Sequence, residues 1–125
     1  MGTNANICGF MVLPELIEEL GSSAWLEKTT ASRALASKAH KELEGLFAGF
    51  VKPFYESESG QFAQMVSFPL PKCEHMEVKK YLLDKHSVDV ASFEFSGAPV
   101  IRLSFQVYNE ENDLENLLKA LRELF

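Results

Sequence analysis

Positive charge is in short supply in this sequence. Its 125 residues carry 12 Lys and Arg against 18 Asp and Glu, a net charge of −6. Nucleic acids require clustered cations that displace counterions from phosphates, and an anionic membrane surface requires a basic patch, so neither partner is expected. Cysteine is scarce too: Cys8 and Cys73 lie far apart and are the only two. They make no disulfide framework, and two reduced thiols fit a cytoplasmic protein. The longest apolar run, residues 7–14, falls well short of the ~20 residues that span a bilayer. No basic region precedes an apolar one, since the first positive side chain is Lys28, so no secretion signal is read. Asn6 breaks the myristoylation motif that Met1-Gly2 would otherwise open.

Catalytic signatures are missing as well. There is no glycine-rich phosphate loop, nucleophile elbow, zincin motif or CxxC pair. Cys73-x-His75 is the only tight pairing of metal-ligating residue types, and His40 and His86 supply no second pair at ligand spacing. A metal site is therefore not expected. The acids at 110–113 lack the spacing of a calcium loop; they suit the positive end of a helix dipole better.

What is present is a core. Hydrophobic residues make up 46% of the chain, with ten Phe among them, enough for one domain. Residues 4–20 read as a helix with Ile7, Phe10, Met11, Ile17 and Leu20 near one face, kinked or interrupted at Pro14, and stopped by Gly21. Ser22 or Ser23 is placed to cap a longer helix to about residue 48, with Leu35, Ala39, Leu43, Leu46 and Phe50 as its seam. Residues 50–55 and 62–68 read as strands around a turn-rich 56–60. A helix near 74–85 follows, then strands at 88–95 and 99–108 across the turn at 96–98. Asn109 is the expected N-cap of a last helix with Leu114, Leu117, Leu118, Leu121 and Phe125 as its stripe. The expected fold is α+β: about four strands in a small antiparallel or mixed sheet, covered by helices on one face and preceded by a long connecting helix.

The strand at 99–108 poses the functional question. Ile101, Leu103, Phe105 and Val107 alternate with Arg102, Ser104, Gln106 and Tyr108, the period of a strand with one buried face. Arg102 therefore points away from the core, toward water or toward a ligand.

Residues 99–118 tip that balance. Ile101-Arg102-Leu103-Ser104, then Tyr108-Asn109, then the acidic start Glu110-Glu111-Asn112-Asp113-Leu114, resemble the C-terminal end of class V (cysteine desulfurase-like) aminotransferases, which depend on pyridoxal 5'-phosphate. The nearest likeness is to the isopenicillin N epimerase-like branch, which includes cysteine desulfhydrase-like proteins. Ser104-Phe105-Gln106-Val107-Tyr108-Asn109, Phe68-Pro69-Leu70-Pro71 and Val88-x-Val90 are similar to that branch. Gly2-Thr3-Asn4 is similar to the family's Gly-Thr segment between large and small domains.

The resemblance implies that residues 1–22 are a helix or linker from a large pyridoxal-phosphate-binding domain, and that 23–125 are the small domain. It implies that Arg102 binds the α-carboxylate of an amino-acid substrate. It further implies that Thr3 donates its hydroxyl to the cofactor phosphate of a neighbouring subunit in a homodimer. The family's Schiff-base lysine, pyridine-pairing aspartate and phosphate cup lie upstream of the Gly-Thr segment, so no catalytic residue is assigned in this chain. No cysteine occurs at 86–98, where the family's desulfurases carry their nucleophile, so epimerase, β-lyase or transaminase chemistry is expected of the parent enzyme. The competing reading is a free-standing α+β binding or dimerisation module without catalysis.

Overall fold

Strand order sets the architecture. The computed structural model describes residues 4–56 and 62–125, with side chains from residue 11 onward. Helices α1 (Asn4–Leu20) and α2 (Ser22–Leu46) precede strand β1 (Met65–Pro69). Helix α3 (His75–His86), strands β2 (Ala91–Phe95) and β3 (Ala98–Ser104), and helix α4 (Glu111–Leu124) complete the order. The sheet is antiparallel in the order β1-β3-β2, so β3 is central. The fold is α+β as expected, with three strands among the described residues.

β2 and β3 join through the two-residue turn Ser96-Gly97, both at positive φ (51° and 77°). That turn twists with the strands it connects, and glycine adopts the second position without penalty. Pro99 lies beside it, facing β2 in a pair where no ladder bond is needed.

Period-2 patterning builds the core. Ile101, Leu103 and Phe105 point inward with Val66 and Phe68 of β1, all at most 5% exposed. α4 covers them with Leu114, Leu117, Leu118 and Leu121, and α2 adds Ala36, Ala39 and Leu43. α2 packs on β1, α3 on β2 and β3, and α4 between α2 and α3. The helical layer thus lies on one face.

Several local expectations are corrected. Residues 50–55 form no strand; instead the Tyr55 hydroxyl accepts a hydrogen bond from Ser67 N–H at 3.0 Å, capping the outer edge of β1. Phe50 leaves the α2 seam and is 76% exposed. α2 is entered through Gly21 at φ 82°, with no side-chain cap from Ser22 or Ser23. α1 runs through Pro14 as one helix. α4 is capped one residue later than expected, at Glu110. Asn109 closes the preceding turn: its Oδ1 accepts from Gln106 N–H at 2.8 Å. Asp113 Oδ2 accepts from Glu110 N–H at 3.0 Å and from Asn109 Nδ2 at 3.3 Å.

His40 sits at 0% exposure where α2 meets β1. Its ring stacks on Tyr55 (4.9 Å) and Phe62 (5.4 Å) and meets Phe68 edge-on (5.4 Å). Burial holds its pKa below the ordinary histidine value, with Glu44 pulling weakly the other way. The native state therefore resists protonation more than the unfolded chain does, and stability rises with pH through this window. The contribution is complete above the ordinary value of about 6.5 and is lost as pH falls toward the depressed native value. Thermal unfolding at pH ~7.5 and ~5.5 should show a lower midpoint in acid, and His40→Phe should flatten that difference. An unchanged slope in His40→Phe would assign the acid sensitivity to other groups.

Candidate functional site

Arg102 occupies the middle of the central strand. Its neighbours across the ladder are Ser67 on β1 and Ala91 on β2. Opposed residues in a sheet project to the same face, so the guanidinium rises between two small side chains that do not crowd it. It is exposed and makes no hydrogen bond or ion pair among the described residues. A guanidinium so placed has the donors to bind an anion through two parallel hydrogen bonds.

A cleft of about 460 Å³ opens beside it, lined among others by Arg102, Ser104, Tyr108, Lys79, Asp89 and Asp113. The volume is in the range of small-molecule sites. β2 begins opposite Arg102, so beyond that point the β2 side of β3 is open. Ladder alternation then turns the N–H and C=O of Ser104 toward the cleft. The other charges in the cleft are engaged. Lys79 Nζ lies 3.7 Å from Asp89 Oδ1 in a partly exposed pair, and Asp113 is committed to the start of α4. Of the two cations lining this cleft, Arg102 is the one that makes no ion pair among the described residues. Nothing local in the sequence points to Lys79, Asp89 or the flanking Ser67 and Ala91, because α3 and the two outer strands bring them together only in three dimensions.

Thr3 lies outside the described residues. Among the described residues no group of three or more His, Cys, Asp or Glu is placed to hold a metal ion. His75 turns its Nδ1 to Ser92 Oγ (3.2 Å), and the same hydroxyl donates to the His75 carbonyl (3.0 Å), tying α3 to β2. His86 pairs with Glu123 at 3.3 Å. Cys73 is half-buried against the core, and burial, aided by Glu74, pushes its thiol pKa up. That is the opposite of what an activated thiolate needs. The acids that open α4 are accounted for: Glu111 pairs with Lys38, and Asp113 caps.

No family model matches the chain. Isopenicillin N epimerase of Amycolatopsis lactamdurans is 26% identical over 120 residues, which is 95% of this chain and 30% of that protein. The apo structure of a cysteine desulfurase from Thermococcus onnurineus NA1 superposes with a TM-score of 0.67 at 25% identity, covering 88% of this chain and 28% of that one. The chain is similar to class V aminotransferase-like enzymes over nearly its whole length. An 8-amino-7-oxononanoate synthase from Francisella tularensis shares the fold at a TM-score of 0.51 and 16% identity, over 75% of this chain and 27% of that one. The chain therefore spans under a third of the length of the class V-like relatives it matches.

Class V-like enzymes depend on pyridoxal 5'-phosphate, and the residues present here do not fit a complete site for it. No lysine of the chain is buried, whereas an imine-forming lysine needs desolvation to lose its proton. A phosphate favours a helix N-terminus free of acids. α3 opens with Glu74 and Glu77, and α4 with Glu110, Glu111 and Asp113.

Proposed function

We propose that this chain is the C-terminal small domain of a pyridoxal-phosphate enzyme acting on an α-amino acid, and that Arg102 binds the substrate α-carboxylate. The unpaired guanidinium on the central strand carries this reading. Its planar fork donates two parallel hydrogen bonds to a carboxylate and stays charged at any working pH. Because β3 is hydrogen-bonded on both sides at Arg102 or its neighbours, the bound Cα is held in one direction more firmly than a loop would hold it. Pyridoxal phosphate, when bound, supplies the electron sink. The orientation given to the amino acid by Arg102 then helps select which bond at Cα is broken.

In this reading the imine lysine and the phosphate cup belong to a large domain, residues 1–22 are its connection to the small domain, and residues 23–125 form that small domain. Thr3 serves the cofactor phosphate of the neighbouring subunit in a homodimer, and the enzyme works in the cytoplasm. Epimerase, β-lyase or transaminase chemistry fits better than persulfide formation, because Cys73 is half-buried with a raised pKa.

The purified 125-residue chain should neither retain pyridoxal phosphate nor turn over an amino acid, since its lysines are solvated and the N-termini of α3 and α4 are acidic. The check is absorbance after mixing and dialysis. An aldimine band that survives dialysis would mean that the chain holds the cofactor itself, and the division between domains would fall.

A further inference from the structure

The two edges of the sheet are treated differently. On the β1 side the Tyr55 hydroxyl accepts from the outward Ser67 N–H. On the β2 side no comparable cap occurs among the described residues. The two-residue turn makes Phe95 and Ala98 a hydrogen-bonded pair, so Phe93 and Ala91 also bond to β3 while Ser92 and Glu94 turn their N–H and C=O outward. Among the described residues these outward groups have no partner. Phe95 beside them is 57% exposed. An uncovered edge with aromatic side chains is a template for another strand.

The helical layer repeats the pattern. α3 lies under β2, joined to it through His75 and Ser92. On its other flank it meets α4, where Tyr81 reaches Glu123 at 3.5 Å. Met76 and Leu83, two turns apart on one stripe, are 55% and 46% exposed. Open backbone above and an apolar stripe below thus belong to one flank of the domain.

We propose that this flank binds a second copy of the chain, with β2 pairing antiparallel to the partner's β2 about a two-fold axis through Phe93. The choice of a second copy rests on self-complementarity. With the axis at Phe93, Ser92 faces the partner's Glu94 and Glu94 faces the partner's Ser92, so the outward N–H and C=O groups meet as hydrogen-bonded pairs. Phe93 meets the partner's Phe93 at a close, non-hydrogen-bonded position, where aromatic pairs are favourable. Ala91 lies opposite the partner's Phe95, small against large. No glutamate opposes a glutamate, which an in-register parallel arrangement would impose. Between two copies of the 125-residue chain the contact is isologous and closes on itself, giving a six-stranded sheet. This proposal does not depend on Arg102, and it is separate from any contact a large domain makes.

Sedimentation velocity on the full chain from ~5 to ~300 µM should show a reversible monomer–dimer equilibrium. Glu94→Pro removes an outward N–H that β3 does not use, and Leu83→Glu charges the α3 stripe. Each should raise the dissociation constant at least ~10-fold while far-UV circular dichroism stays unchanged. Met11→Glu, on the exposed side of α1, should have no effect. Amide exchange on the wild-type chain provides a readout without mutation: Ser92 and Glu94 should be protected at high concentration and exchange quickly at low. If Glu94→Pro fails to fold, Leu83→Glu and the exchange data decide. A monomer throughout, a dimer indifferent to both variants, a dimer lost on Met11→Glu, or fast exchange of Ser92 and Glu94 within the dimer would each overturn the proposal.

Discussion

On the proposed reading, Arg102→Ala in the full-length protein should lower kcat/KM by roughly 30- to 1000-fold, the equivalent of about 2–4 kcal/mol of lost charge-assisted bidentate contact. Folding should be nearly unaffected, within about 0.5 kcal/mol, because the side chain is exposed and has no partner among the described residues to leave unsatisfied. Arg102→Lys should recover only part of the activity, since an ammonium keeps the charge and loses the fork. Steady-state kinetics beside thermal melts separate the two roles. If Arg102→Ala unfolded the domain and spared substrate affinity in what stayed folded, the arginine would be structural and the carboxylate assignment wrong.

The largest stability effect should come from Phe68. It is 1% exposed and packs against His40 and Phe47 where β1 meets α2. Phe68→Ala removes a buried ring from a site held by a sheet and a helix that cannot both collapse inward, and should cost about 3–5 kcal/mol. That is a large part of the ~5–15 kcal/mol that holds a domain together. The melting point should drop by roughly 10–20 °C. Phe50→Ala is the matched control. With its ring 76% exposed, it should change stability by no more than about 0.5 kcal/mol. Equal losses from the two variants would contradict the packing described for β1 and α2.

Phe50 also shows where reading the sequence stopped. A helix seam extended by periodicity carries Phe50 into the core, but α2 ends at Leu46 and the chain turns at Gly49, φ 83°. Periodicity cannot see where a helix stops when no proline or strong cap marks the place. Residues 50–55 failed for a related reason. Val51, Phe54 and Tyr55 have strand chemistry, yet a strand needs a partner edge, and Tyr55 spends its hydroxyl covering that edge. By contrast, the inward facing of Ile101 and Leu103 on β3, and of Phe105 just beyond it, was legible from their alternation, although Val100 on the opposite face is fully buried too. The stripe of α4 was legible too, from Leu114 to Leu121, although Asn109 and Glu110 exchanged roles at its cap. Arg102 could be placed on the outer face from local pattern alone. Its unpaired state could not, because it depends on Ser67, Ala91, Lys79 and Asp89, which meet it only through cross-strand register and the docking of α3.

The order β1-β3-β2 has a consequence for the newborn chain. β2 and β3 are sequence neighbours, and a two-residue hairpin of this kind can zip in about 1–10 µs with little loop entropy to lose. β1 is in the opposite position. It leaves the ribosome before β3, its strand partner among the described residues, exists, and the whole of α3 and β2 must be synthesised before Val100 can meet Pro69. At elongation rates of ~5–20 residues per second, that interval lasts seconds. Throughout it Val66 and Phe68, which end fully or almost fully buried, have α2 as the one of their packing elements in this domain that is already made. The long helix ahead of the sheet is thus placed to shelter an orphan strand during synthesis until its right edge emerges.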